Sequence, residues 1–388
     1  MRTAEVIVVG LGAMGSAAAG QLAARGVSVI GIDRYAPPHA WGSTHGDTRI
    51  TRLAIGEGRE YVPLARRSHE LWREIEIESE SGAELLTQTG IVVLGHPSST
   101  FLAETRAAAR QYGIDHRDLT NDALRAGFPM FAVDERTVAY YEREAGYVRP
   151  ERAVAAQLAL AARNGAQLKV GERVKGWAAS GHGVSVSTDA DTYAAGQLLL
   201  CAGAWITDLV PQMRDIVATY RQLLFWFPIR LGYAALRDMP AFVWDLGGDQ
   251  RGFVHLDGFY GFPAIDGAAG GVKVASESYE HTTAPDGRQH PATRPEIERM
   301  YRGCVEPYLP WLGAEPLRTV SCLYTSTRGS RFIIDRHPEH DAVFVVSACS
   351  GHGFKHSPAI GEAVAQRLTG HAPKVDLSAF GFDRVQRA

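Results

Sequence analysis

Gly10-Leu11-Gly12-Ala13-Met14-Gly15 lies between the β-branched run Val6-Ile7-Val8-Val9 and an Ala-, Gln- and Leu-rich stretch that stops at Gly26. The chemistry this spacing suits is the binding of a pyrophosphate. Gly10 permits a tight strand-to-helix turn, Gly12 leaves no side chain in the way of the phosphates, and Gly15 lets the helix lie close on the sheet. A helix that opens at such a turn presents free N–H groups and a partial positive charge to the anion. The second strand, Val27 to Asp33, ends in an acid 23 residues after Gly10, where it can accept hydrogen bonds from a ribose. Ala13, Met14 and Arg34 complete the expected nucleotide contacts around this turn. The motif alone fits NAD and FAD equally.

Other reactive side chains lie far along the chain. Lys273 sits between Val272 and Val274 in strand-like text, so it points to the opposite face from both. The four cysteines, at 201, 304, 322 and 349, never form a C-x-x-C pair. That excludes a disulfide framework and a thioredoxin-type or zinc site, and no metal is expected. Gly351 to Lys355 runs into a helix beginning at Ser357 or Pro358, and its N–H groups could favour negative charge.

These residues need a large scaffold. The chain has 388 residues, 45% of them hydrophobic and 21% charged, enough for two domains with real cores. With 40 basic against 43 acidic residues it has no surplus of positive charge for nucleic acid or an anionic membrane. No apolar run is long enough to span a bilayer, and the start lacks signal-peptide texture; a reduced, cytoplasmic protein is the expectation. Helices are expected over Val62 to Glu78, Thr100 to Tyr112, Glu151 to Arg163, Thr293 to Tyr308 and from Ser357 to Leu368. The stretch from Tyr220 to Val274 reads as aromatic-rich strands. The fold class is α/β: a Rossmann-like nucleotide-binding domain from residues 1–88, 150–215 and 318–388, with a β-rich substrate domain from 89–149 and 216–317.

Several blocks together are more specific. Gly42-Ser43-Thr44-His45-Gly46-Asp47-Thr48-Arg49-Ile50-Thr51-Arg52, Gly56 to Leu64, Phe259-Tyr260-Gly261-Phe262-Pro263, Gly271-Val272-Lys273, Cys322-Leu323-Tyr324-Thr325 and Ser350-Gly351-His352-Gly353-Phe354-Lys355 resemble, in order along the whole chain, the monomeric sarcosine oxidase and N-methyltryptophan oxidase family. The resemblance implies FAD, oxidation of a secondary-amine amino acid to an imine, and reoxidation by O2 to hydrogen peroxide, in a monomer. It implies a thioether from Cys322 to the flavin, with His45 and Arg49 as the basic pair beside it. Lys273 would stand near flavin N5 and activate oxygen. Arg52 and Lys355 would hold the substrate carboxylate, with Tyr260 and Tyr324 bordering the amine. Ser43, Thr44, Val174, Gly203, Gly351, Gly353 and Phe354 would contact the cofactor. A related dehydrogenase, or an oxidase of a cyclic imino acid of pipecolate type, is the nearest alternative; a flavin-binding protein without turnover is a more distant one.

The match breaks four residues after the lysine, where sarcosine oxidases place a histidine and this chain has Glu277. If the strand continues, positions 273, 275 and 277 share a face and Glu277 is a candidate substrate contact. A solvated carboxylate beyond a finished strand is the preferred reading. Thr44 likewise stands where those enzymes often have a second histidine.

Overall fold

The opening unit forms as its sequence requires: β1 (Arg2–Val9), α1 (Ala13–Ala24) and β2 (Val29–Asp33). The computed structural model describes residues 2–79, 82, 84–230, 232, 236–247, 258–287 and 290–386; part of the aromatic-rich stretch, including 231, 233–235 and 248–257, lies outside them. β1 pairs in parallel with β2 on one side and with Thr192–Leu200 on the other. Gln167–Val170 extends the sheet beyond β2, and His340–Ser347 extends it beyond Thr192–Leu200, again in parallel. Val6, Ile7, Val8, Ile30, Ile32, Leu198, Leu199 and Leu200 are all buried. Covered on both faces, such strands read as unbroken apolar runs, with no alternation. Strand Thr192–Leu200 forks: its first half pairs antiparallel with Gly183–Thr188 while residues 198–200 pair with 343–345.

Three helices close one face. α1 packs against Pro150–Arg163 and Ser357–Leu368, and its buried residues Ala17, Ala18, Ala19 and Ala23 are small enough for close helix approach. Val62–Glu78 buries Leu64, Ala65, Ser68, Leu71, Trp72 and Ile75, an i, i+3, i+4 stripe. Arg67 from this helix makes a two-pronged pair with the buried Glu362, 2.8 Å on each prong, which fixes it against Ser357–Leu368.

Among the described residues the second sheet has eight strands, in the order Arg318–Thr327, Val217–Phe227, Val272–Ser276, Gly258–Phe262, Ala241–Asp245, Ile91–Gly95, Val138–Glu142 and Arg117–Leu119. All its neighbours are antiparallel except Ala241–Asp245 with Ile91–Gly95. Arg318–Thr327, grouped above with the nucleotide-binding segments, pairs along its length with Val217–Phe227 and therefore lies in this second sheet. Apolar alternation cannot say which of two sheets a strand joins.

The helix expected over 293–308 has an irregularity. A regular stretch, Arg294–Met300, gives way to a π-turn over Tyr301–Val305. Pro307 can neither donate to the carbonyl four residues back nor fit its ring beside it, and the widened turn precedes it.

Candidate active site

A cavity of about 1060 Å³ is lined by residues of both sheets, at the upper end of the roughly 300–1000 Å³ typical of ligand sites. Its wall takes in Gly10, Gly12, Ala13, Met14, Asp33 and Arg34 from the opening unit, and Ser43, Thr44, Arg49 and Arg52 from the loop and strand that follow. Val174, Gly203, Tyr260, Glu277, Tyr324, Gly351, Gly353, Phe354 and Lys355 line it too. Residues separated by more than three hundred positions thus converge on one space. Gly15, His45, Lys273 and Cys322 stand behind the wall.

The nucleotide end fits a dinucleotide. Gly10 has φ +87°, and a Cβ on Gly15 would lie 1.7 Å from the Gly10 carbonyl oxygen, so helix and turn are in contact as the motif requires. A Cβ on Gly12 would meet only Thr44 Oγ1, at 3.6 Å. No side chain caps α1, which leaves its first N–H groups available to phosphate. Asp33 accepts from Leu11 N at 2.7 Å and from Tyr35 N at 2.9 Å. Its position is thereby fixed, with lone pairs left for hydroxyls.

Behind the wall, Lys273 is buried opposite Trp226 and Phe262 in the sheet. Its Nζ donates to Gly46 O at 2.6 Å, Thr48 O at 2.9 Å and Thr48 Oγ1 at 3.1 Å. Three acceptors match the three donors of an ammonium. Burial, reinforced by Arg49, lowers its pKa well below the ordinary lysine value. Glu151 fixes the same loop, accepting from Gly46 N at 2.6 Å and Asp47 N at 3.1 Å.

Arg49 donates to Ser43 O at 2.7 Å and to Thr48 O at 2.9 Å, and its Nη2 lies 3.6 Å from the Cys322 sulfur. Cys322 is 1% exposed, on the strand opposite Gln222, and a cation touches its sulfur. His45 differs from expectation. Burial and the nearby Arg49 push its pKa down to about 4, so at neutral pH it carries no charge and Arg49 is the cation of the pair. His45 Nε2 and Thr325 Oγ1 are buried without a hydrogen-bond partner. Such orphaned groups are uncommon unless a ligand satisfies them.

At the other end Arg52 and Lys355 share an acid that the sequence reading did not single out. Arg52 Nη2 pairs with Glu57 Oε2 at 2.5 Å and Lys355 Nζ lies 3.4 Å from Glu57 Oε1. Burial opposes charge on Glu57, but Arg52 and Lys355 outweigh it and hold its carboxyl well below the usual range. Arg52 also donates to Ala54 O at 2.6 Å and lies over the Phe101 ring, 5.0 Å from its centroid. The buried Glu142 positions the backbone that follows, accepting from Leu53 N at 2.6 Å and Ala54 N at 3.1 Å. Two cations and one anion leave a net single positive charge facing the cavity, which suits one carboxylate.

Tyr260 and Tyr324 place their hydroxyls 3.2 Å apart, and burial raises both, Tyr260 to about 12. Both are neutral hydrogen-bonding groups. The strand ends at Ser276 and Glu277 is exposed beyond it, as its preferred reading expected; it also lines the cavity. Its Oε2 accepts from Tyr279 OH at 3.0 Å. The sequence reading also missed Tyr279, although its position two residues beyond Glu277 was a usable signal. Outside the cavity, His337, Glu339 and His340 at a turn of the first sheet are close enough to hold a metal ion. None of the three lines the cavity, and no helix among the described residues is long and apolar enough to cross a membrane.

Known proteins resemble this chain over nearly its whole length. The family model described as FAD dependent oxidoreductase matches residues 5–367. Monomeric sarcosine oxidase of Streptomyces avermitilis is 40% identical over 95% of this chain and 94% of its own length. N-methyl-L-tryptophan oxidase of Salmonella heidelberg is 31% identical over 99% of each. Among solved structures, NikD, an amino acid oxidase essential for nikkomycin biosynthesis, superposes with a TM-score of 0.84 at 23% identity, covering 98% of both chains.

Proposed function

This chain belongs to the FAD-dependent oxidoreductase family, on the branch of the monomeric sarcosine oxidases and N-methyltryptophan oxidases, and we propose that it is an oxidase of secondary-amine amino acids. The observation that carries this reading is the pair of buried cations Arg52 and Lys355, joined by Glu57, at one end of a cavity whose other end is a dinucleotide turn. FAD, when bound, would supply a hydride acceptor for the carbon beside the amine and pass the two electrons to O2, which with two protons gives hydrogen peroxide. The protein's part is to bind and orient. Arg52 and Lys355 receive the carboxylate, with Glu57 keeping both cations in place. Tyr260 and Tyr324 border the amine as neutral groups, so they favour the uncharged amine over its ammonium form. That selection is required, since a carbon next to an ammonium does not readily release hydride.

Around the cofactor, Gly12 and the N-terminus of α1 are assigned to the pyrophosphate and Asp33 to the ribose. Ser43, Thr44, Val174, Gly203, Gly351, Gly353 and Phe354 contact the remainder. Lys273 is assigned to oxygen activation: a fixed ammonium stabilises a developing oxygen anion. Cys322 is the candidate for a thioether to the flavin, with Arg49 supplying positive charge. The protein works as a cytoplasmic monomer whose partners are a small amine and O2. The test is peroxide formation in air with N-methylated amino acids. Turnover that yields peroxide supports an oxidase, whereas turnover only with an added electron acceptor makes it a dehydrogenase.

A further inference from the structure

Besides Glu57, the cavity wall near the substrate-binding cations carries Glu277. Arg52, Lys355 and Glu57 sum to one positive charge, which the substrate carboxylate cancels. Glu277 remains. None of the ion pairs among the described residues includes it, and its hydrogen-bond donor on the protein side is the Tyr279 hydroxyl, at 3.0 Å. It is exposed, yet its carboxylate lies against residues of the cavity wall. A Cβ placed on Gly351 would lie 3.2 Å from Glu277 Oε1, 2.8 Å from Tyr279 OH and 3.1 Å from Tyr324 Cε2. Acid and hydroxyl therefore stand over the Gly351 backbone beside a tyrosine that borders the amine, and Glu277, Tyr279, Tyr324 and Gly351 all line the cavity.

We propose that Glu277 and Tyr279 form a cation subsite, and that the preferred substrates are N-alkyl amino acids whose side chain ends in an ammonium or guanidinium group. This rests on the amine-oxidase reading and narrows it. Glu277 is an accessible carboxylate on the cavity wall with no ion-pair partner among the described residues, and a substrate cation can pair with it. Glu277 lines the cavity and Lys273 does not, so the carboxylate is reached from the substrate side.

The test compares two substrates of nearly equal size and different charge, Nα-methyl-L-lysine and Nα-methyl-L-norleucine, in the yellow holoenzyme and in its Glu277→Gln and Glu277→Asp variants. The wild type should favour the lysine derivative by roughly tenfold or more in kcat/KM, as expected for one partly desolvated charge pair, and the difference should lie mainly in KM. Glu277→Gln should bring the ratio near one by weakening the lysine derivative alone; Glu277→Asp should restore part of it. Equal use of both substrates by the wild type overturns the proposal while leaving the amine-oxidase reading intact. Equal loss on both substrates in Glu277→Gln, with a changed acid limb of the pH profile, also overturns it and makes Glu277 a proton acceptor. Oxidation of neither substrate, nor of sarcosine, removes the underlying reading instead.

Discussion

Replacing Lys273 by Met removes a buried charge and keeps the length of the side chain. Gly46 O, Thr48 O and Thr48 Oγ1 lose the ammonium, but Gly46 O keeps Thr48 N at 2.8 Å and Thr48 O keeps Arg49 Nη1 at 2.9 Å, so the loss is about 1–3 kcal/mol, that of one unsatisfied group at Thr48 Oγ1. Against this, the variant no longer keeps an ammonium out of water, a cost of several kcal/mol, and the thioether packs on Phe262 and Trp226, whose ring centroids lie 4.7 and 5.5 Å from Nζ. The two effects nearly offset, so the variant should fold and bind flavin. The kinetic effect is larger. A unit charge about 4–5 Å from a developing oxygen anion contributes about 3–4 kcal/mol at an effective dielectric constant of 20, or about 10²–10³ in rate. Lys273 does not line the substrate cavity, so reduction of the flavin by substrate should change by less than about tenfold. Stopped-flow absorbance resolves the halves: anaerobic reduction by substrate, then reoxidation by oxygenated buffer. The wild-type reoxidation rate should fall as pH rises through the lowered pKa of Lys273, because the ammonium is lost there, and the variant should lack that limb. The same depression makes the stability contributed by this group rise with pH between its folded value and the ordinary lysine value, where the unfolded chain holds the extra proton. Equal losses in both half-reactions, or none in reoxidation, would refute the assignment.

Arg52→Gln should raise KM for the amino acid by about two to three orders of magnitude, as expected when one member of a buried charge pair is truncated, with kcat within about tenfold; an unchanged KM removes Arg52 from carboxylate binding. Because Arg52 and Lys355 depress Glu57, that acid contributes stability above its unfolded pKa that is lost as pH falls through its folded pKa. In Arg52→Gln this loss should begin at higher pH, readable by acid titration of near-ultraviolet circular dichroism. Cys322→Ser should release its flavin on acid precipitation while the wild-type precipitate stays yellow; colour retained in the serine variant places the attachment elsewhere.

What the sequence made readable was local. The β1–α1–β2 unit is legible because its glycines, apolar runs and terminal acid lie within about thirty residues. Val62–Glu78 shows itself by a stripe that periodicity detects. The pairing of Arg318–Thr327 with Val217–Phe227 was hidden, since buried strands look alike whichever sheet they join. The three-way contact of Arg52, Glu57 and Lys355 was half visible: the two cations stood out by resemblance, but the acid lies 298 positions from Lys355 and nothing local marks their contact. The family resemblance puts His45 in a basic pair, whereas burial and a neighbouring guanidinium lower its pKa. Glu277 depended on where a strand ends and how the chain then turns, which strand periodicity cannot supply.

The most direct test of the central claim is anaerobic titration of purified holoprotein with sarcosine and the Nα-methyl derivatives of alanine, norleucine and lysine, followed by visible absorbance. The account requires a yellow protein whose flavin bands bleach with one or more of these secondary amines and return on admitting air, with one peroxide formed for each amine consumed. Yellow protein that keeps its bands with every N-methyl amino acid, yet bleaches with a primary amino acid or a reduced nicotinamide, would contradict it.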